Sequence, residues 1–219
     1  MKFQSIFLLL SLCLFPLFLS AQQQRFRAGL TLGWNAAQLD GDNHFGYHKF
    51  GLEGGLRGAA ILHDRLDLVV ELLFSQRGSK GSGGSSNNTA NIKKPVNISL
   101  NYAEAPILLH FKVGENWDGY YSFHLLGGLS YGRLLNSKVT ETVFNPNNEL
   151  EVMYGELEND FQRNHLSAIL GISWLVRPQI AISLRHVFAL TPLHRGRADL
   201  PGRPRLQSYY LNLSLGYWF

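Results

Sequence analysis

Eight polar side chains stand where they could do chemistry together: Glu53, Arg57, Glu71, Arg77, Glu104, Lys112, His124 and Arg185. Each falls on the polar phase of a two-residue alternation, so each projects from the same face of its strand as its polar neighbours. Carboxylates, guanidiniums, an amine and an imidazole at close quarters can line a path for ions or a ligand, or they can neutralise one another as a plug. Inside eight strands, which leave room for little more than side chains, the plug is the expectation. If the turn His63-Asp64-Arg65 is centred on Asp64, Arg57 faces Glu71 across a hairpin, where opposite charges attract.

Acyl-transfer chemistry is the sharper alternative. His165 and Ser167 share a face, and Ser130 is expected across from Glu104. Neither pair brings a third partner within hydrogen-bond reach, so no catalytic residue is assigned. The histidines are dispersed without metal-ligand spacing, and the one cysteine, Cys13, lies in the leader. No metal or cofactor is therefore expected. The Gly78 to Gly84 run lacks the lysine and hydroxyl ending of a phosphate loop. A net charge of +4 across 219 residues is too mild to argue for nucleic acid.

The elements that position these groups are strands. In the last stretch Tyr209, Leu211, Leu213, Leu215, Tyr217 and Phe219 alternate with Ser208, Tyr210, Asn212, Ser214, Gly216 and Trp218. The same pattern runs from Arg25 to Ala37, from Phe50 to Leu62, from Leu66 to Arg77, from Asn101 to Val113, from Tyr121 to Gly132, from Leu166 to Val176 and from Ile180 to Leu190. Pro106 lacks a ladder donor, and a local bulge is expected there. Connections alternate long and short, with Gly78 to Asn97 and Asn136 to Asn164 read as long loops.

Grease on one face and charge with glycine on the other suits lipid outside and a polar lumen inside, and it explains a mean hydropathy of only −0.06. The fold class is thus all-β, an eight-stranded antiparallel transmembrane β-barrel with up-and-down connections, whose first and last strands must close on each other. Residues 1–21 read as a cleaved signal peptide, with Lys2, an apolar run from Ile6 to Leu19 and the small pair Ser20-Ala21 before the cut. Residues 22–219 form the barrel domain, with short periplasmic turns, longer outer loops and both mature ends in the periplasm.

Several stretches together resemble the PorT-like outer-membrane β-barrel family of Bacteroidetes. They are Gly51-Leu52-Glu53-Gly54-Gly55-Leu56, Glu71-Leu72-Leu73-Phe74-Ser75-Gln76-Arg77-Gly78, Asn101-Tyr102-Ala103-Glu104-Ala105-Pro106-Ile107-Leu108-Leu109, Ser183-Leu184-Arg185-His186 and Leu213-Ser214-Leu215-Gly216-Tyr217-Trp218-Phe219. The resemblance implies an outer-membrane barrel and, in some relatives, a part in type IX secretion and gliding. It also suggests that the strand ending in Phe219 is an assembly signal read by the barrel assembly machinery. It supplies no catalytic motif.

Outside the barrel, an acidic loop carrying Glu149, Glu151, Glu156 and Glu158 adjoins a basic one carrying Arg195, Arg197, Arg203 and Arg205. They are expected to pair across the mouth, or to engage anionic lipid and a protein partner. The expected partners are outer-membrane lipid and lipopolysaccharide, the assembly machinery and an envelope protein. The function that follows is a non-enzymatic envelope component, with a narrow channel and a lipid-modifying enzyme as alternatives.

Overall fold

The computed structural model describes residues 25–40, 49–80, 96–117, 119–145, 148–153, 161–192 and 207–219. The leader and the Arg195 to Arg205 loop lie outside them. Nine strands form one antiparallel sheet: β1 (Phe26–Asp40), β2 (Lys49–His63), β3 (Leu66–Lys80), β4 (Val96–Glu115), β5 (Tyr121–Asn145), β6 (Asn148–Met153), β7 (Asn164–Arg177), β8 (Ile180–Ala189) and β9 (Gln207–Trp218). Hydrogen-bonded neighbours run β4-β3-β2-β1-β9-β8-β7-β5, and a β4–β5 ladder closes the ring. The barrel therefore has eight strands, as the alternation predicts, with β6 attached to β5 outside the ring.

Ring closure can be followed residue by residue. Arg27 pairs with Ala59, then the path runs through Val69, Leu108, Gly128, Ile169, Val187 and Tyr210 back to Ala37 on β1, ten residues from its start. That stagger, a shear of 10, tilts the strands by about 40° to the barrel axis.

The alternation sorts side chains between lipid and lumen. On β7, Ile169 is 3% exposed and its neighbour Leu170 is 60% exposed, because successive residues point to opposite faces. The outward set on this strand runs from Leu166 to Val176. At the tilt given above it covers about 25 Å of height, which matches the apolar band of an outer-membrane barrel. Tyr131, Trp174 and Tyr217 are among the aromatics on this surface.

Short turns join β2 to β3 at Asp64-Arg65, β4 to β5 at 116–120 and β7 to β8 at Pro178-Gln179. The middle turn requires glycine, since Gly119 has φ +78°. The β2–β3 register is centred where the sequence places it, with Arg57 opposite Glu71.

Two expectations are corrected. The bulge expected at Pro106 is absent. Val70 opposite Ile107 and Leu73 opposite Glu104 keep one register, and the ladder loses only the rungs at Glu71 and Leu72. Proline removes a donor without requiring an extra residue. The β4–β5 slip lies higher, between Asn101 and Tyr102, where Leu135 is the extra residue. The regions read as long loops are in part strand: β3 continues to Lys80, β4 begins at Val96, and β5 reaches Asn145 before returning as β6. Beyond the lipid-facing band the outer face of these strands no longer meets lipid, so pairing persists there without an apolar outward series to announce it.

Candidate functional site

The inward positions of the eight strands converge on a lumen filled in layers. At the end nearest the short turns, the Asp67 carboxylate accepts from Arg27 at 2.7 Å and sits 2.8 Å from the Lys112 amine. The rings of His110 and His124 meet edge to face, 6.0 Å between centroids. Above them the Arg57 guanidinium lies 4.0 Å from the centre of the Trp218 ring, a cation–π contact. Gly216 makes this possible, because a Cβ there would collide with Nη1 of Arg57.

Glu71 is the centre of the next layer. Arg185 donates to it through both terminal nitrogens, at 2.6 and 2.8 Å, in the two-pronged geometry that suits a guanidinium and a carboxylate. Arg57, directly opposite Glu71 in register, stands farther off, with Nε 3.7 Å away. The partner that binds Glu71 most closely therefore comes from β8, across the lumen.

Glu53 is held by amides and a hydroxyl. Asn212 donates to Oε1 at 3.0 Å, Ser75 to Oε2 at 3.1 Å and Asn35 to Oε2 at 3.4 Å, while Asn212 also reaches the Asn35 carbonyl at 2.8 Å. Glu104 takes Arg77 at 2.7 Å and the Tyr210 hydroxyl at 3.0 Å. Arg77 in turn lies 3.9 Å from the Tyr102 ring and 5.1 Å from that of Tyr210. Among the described residues, the three lumenal carboxylates Asp67, Glu71 and Glu104 thus pair with the five cations Arg27, Arg57, Arg77, Lys112 and Arg185, while Glu53 rests on neutral donors.

At the end opposite the short turns the lining turns apolar. Ile98, Leu100, Tyr102, Val139 and Phe161 form a buried cluster, with Leu134 against it. His165 sits just below, its Nδ1 3.2 Å from the Thr191 hydroxyl. The cavity between Glu53, Glu104, Arg185, Tyr210 and Asn212 has a volume of about 10 Å³. That is room for about one water molecule.

A family model described as outer membrane protein beta-barrel domain matches residues 20–195. The chain belongs to that family. It is an outer-membrane β-barrel protein, and the ring closure and lipid-facing band described above are how this sequence builds one. No curated protein matches the chain. Among solved structures, the barrel is similar to the attachment invasion locus protein Ail of Yersinia pestis in complex with the heparin analogue sucrose octasulfate. The identity is 12%, with 89% of this chain and 99% of that one covered and a TM-score of 0.47. It is also similar to Neisserial surface protein A at 9% identity, 89% and 97% coverage and a TM-score of 0.46. The N-terminal barrel of OprF from Pseudomonas aeruginosa gives 10%, 90% and 100%, and 0.40.

Within this barrel all eight residues singled out for the lumen do project into it, and seven of them are buried, Lys112 being half-buried at the rim. Ser130 departs from expectation. It stands opposite Pro106 and Ser167, while Glu104 faces Gly132. Glu104 is occupied on both oxygens by Arg77 and Tyr210, so no carboxylate is left for that serine. Sequence reasoning passed over Asn35, Asp67, Tyr102, Tyr210, Asn212 and Trp218. Their common signal was placement on the polar phase, which for three large aromatics marks a lumen that must be filled. Of the outer-loop residues, Arg195, Arg197, Arg203, Arg205, Glu156 and Glu158 lie outside the described residues, and Glu149 and Glu151 fall on β6 opposite Phe144 and Thr142.

Proposed function

We propose that this protein is a non-enzymatic envelope component whose barrel is a closed, stabilised platform and whose outer loops do the binding. One observation carries the reading: ion pairs, amide bridges and stacked arginines fill the lumen and leave about 10 Å³ between the central groups. A hydrated ion needs a continuous path, and breaking these buried pairs to open one would leave uncompensated charge.

In this reading the short turns and both mature ends face the periplasm after removal of residues 1–21, and the strand ending in Phe219 guides insertion by the assembly machinery. The acidic segment with Glu149, Glu151, Glu156 and Glu158 and the basic one with Arg195, Arg197, Arg203 and Arg205 meet a partner protein or each other at the outer mouth. Membership in a type IX-like secretion or gliding assembly rests on the sequence resemblance alone.

Two experiments test the reading. Purified protein in planar bilayers is expected to carry no sustained current, and stable single-channel steps whose ion selectivity changes in Glu71→Gln would replace it with a channel. Crosslinking in native outer membranes, followed by mass spectrometry, is expected to recover a reproducible envelope partner lost on charge reversal of Arg195, Arg197, Arg203 and Arg205. Recovery of the barrel with lipid only would remove the interaction reading.

A further inference from the structure

On β5 the outward series changes chemistry above the lipid band: Tyr131, then Arg133, then the extra residue Leu135, which is 59% exposed. Arg163, immediately before β7, comes alongside, its backbone carbonyl accepting from the Leu134 amide at 2.7 Å. Between them lies a half-open groove of about 380 Å³, lined by Arg133, Arg163, Asn136, Leu134, Leu135 and Phe161 among others.

The arginines here differ from those in the lumen. Arg27, Arg57, Arg77 and Arg185 each face a carboxylate. Among the described residues, neither Arg133 nor Arg163 does. The Asn164 amide oxygen accepts from the Tyr131 hydroxyl at 2.9 Å and from Arg133 Nη1 at 3.3 Å. This tethers the Arg133 guanidinium by one nitrogen and leaves its other donors open. Two guanidiniums with free donors flanking one groove match a phosphate group, which accepts paired N–H bonds.

We propose that Arg133 and Arg163 clamp the phosphate of an anionic glycolipid of the outer leaflet, with an acyl chain against Leu135 and Tyr131. A lipid is favoured over a soluble phosphate because the groove continues the lipid-facing surface and includes an exposed leucine. Below it Tyr131 belongs to the aromatic level that marks the membrane interface. The proposal rests on the orientation given under the proposed function.

The test uses the mature barrel in nanodiscs, titrated with bis-phosphorylated lipid A, with its dephosphorylated form and with inorganic phosphate. Wild type is expected to bind lipid A roughly tenfold more tightly than Arg133→Gln/Arg163→Gln, consistent with loss of charge-assisted hydrogen bonds. Dephosphorylated lipid should bind wild type as weakly as lipid A binds the double variant. Leu135→Ser should weaken lipid A binding and leave phosphate binding unchanged. Equal binding of both lipids, an unaffected double variant, or full competition by millimolar inorganic phosphate would each overturn the clamp.

Orientation is read separately by labelling whole cells carrying Lys138→Cys or Trp117→Cys with an impermeant maleimide. Labelling of Lys138→Cys alone supports it. Labelling of Trp117→Cys alone, with lipid A binding intact in nanodiscs, would reject the orientation and with it the outer-leaflet assignment, while leaving phosphate recognition standing.

Discussion

Two buried carboxylates occupy the same lumen and are neutralised in different ways. Glu71 sits between two cations, one bound through two short hydrogen bonds and the other at 3.7 Å. Glu104 has a single arginine, but that arginine lies against two tyrosine rings, and one of those tyrosines also donates to the carboxylate. The first site balances charge chiefly with charge, a ring (Trp218) standing only behind its more distant cation, Arg57. The second spreads it over aromatic faces and a hydroxyl. The difference predicts how far each tolerates loss of a member, because a buried charge left without a partner is penalised more than a missing attraction.

The largest effect is expected from Glu71→Gln, which strands Arg185 and Arg57 together. Destabilisation of about 3 to 5 kcal/mol should appear in urea unfolding from lipid vesicles. Glu104→Gln should cost less, about 2 to 3 kcal/mol, since Arg77 keeps both rings. If the two losses prove equal, the aromatic faces contribute nothing and the contrast fails. Trp218→Leu, which takes a buried ring away from Arg57, is expected to lose about 2 kcal/mol from the desolvated stack. Smallest is Tyr210→Phe, which removes one hydroxyl donor to a carboxylate and keeps the ring, and should cost about 1.5 kcal/mol in the same assay. A double-mutant cycle between Trp218 and Glu71 should then show coupling, because both act on Arg57.

Much of the barrel is legible in the sequence. Strict alternation in Tyr209 to Phe219 and its counterparts defines which side chains see lipid, and the centre of the Asp64 turn sets Arg57 opposite Glu71. Alternation gives a face and a neighbour, but not what lies across the lumen. The Glu71–Arg185 pair joins residues 114 positions apart. Predicting it requires the shear, which only the register of every hairpin together determines. Tyr102, Tyr210 and Trp218 fall on the polar phase of their strands, yet their size is what supports Arg77 and Arg57. The β5–β6 hairpin escaped because strands beyond the lipid-facing band have no lipid to enforce a two-residue period.

The pairing of β1 with β9 also sets the timing of assembly. Every other ladder in the ring joins strands that are neighbours along the chain or separated only by the β6 hairpin, whereas Gly29 must find Trp218. Hairpin formation is fast and local; bringing distant segments together is slow. Until that last ladder zips, the sheet has two unpaired edges that lipid cannot satisfy. A kinetic trap at this stage would leave nearly all of the hairpins in place and still yield no membrane-stable product. The seam between the first and last strands is therefore where a time-resolved footprint should change last.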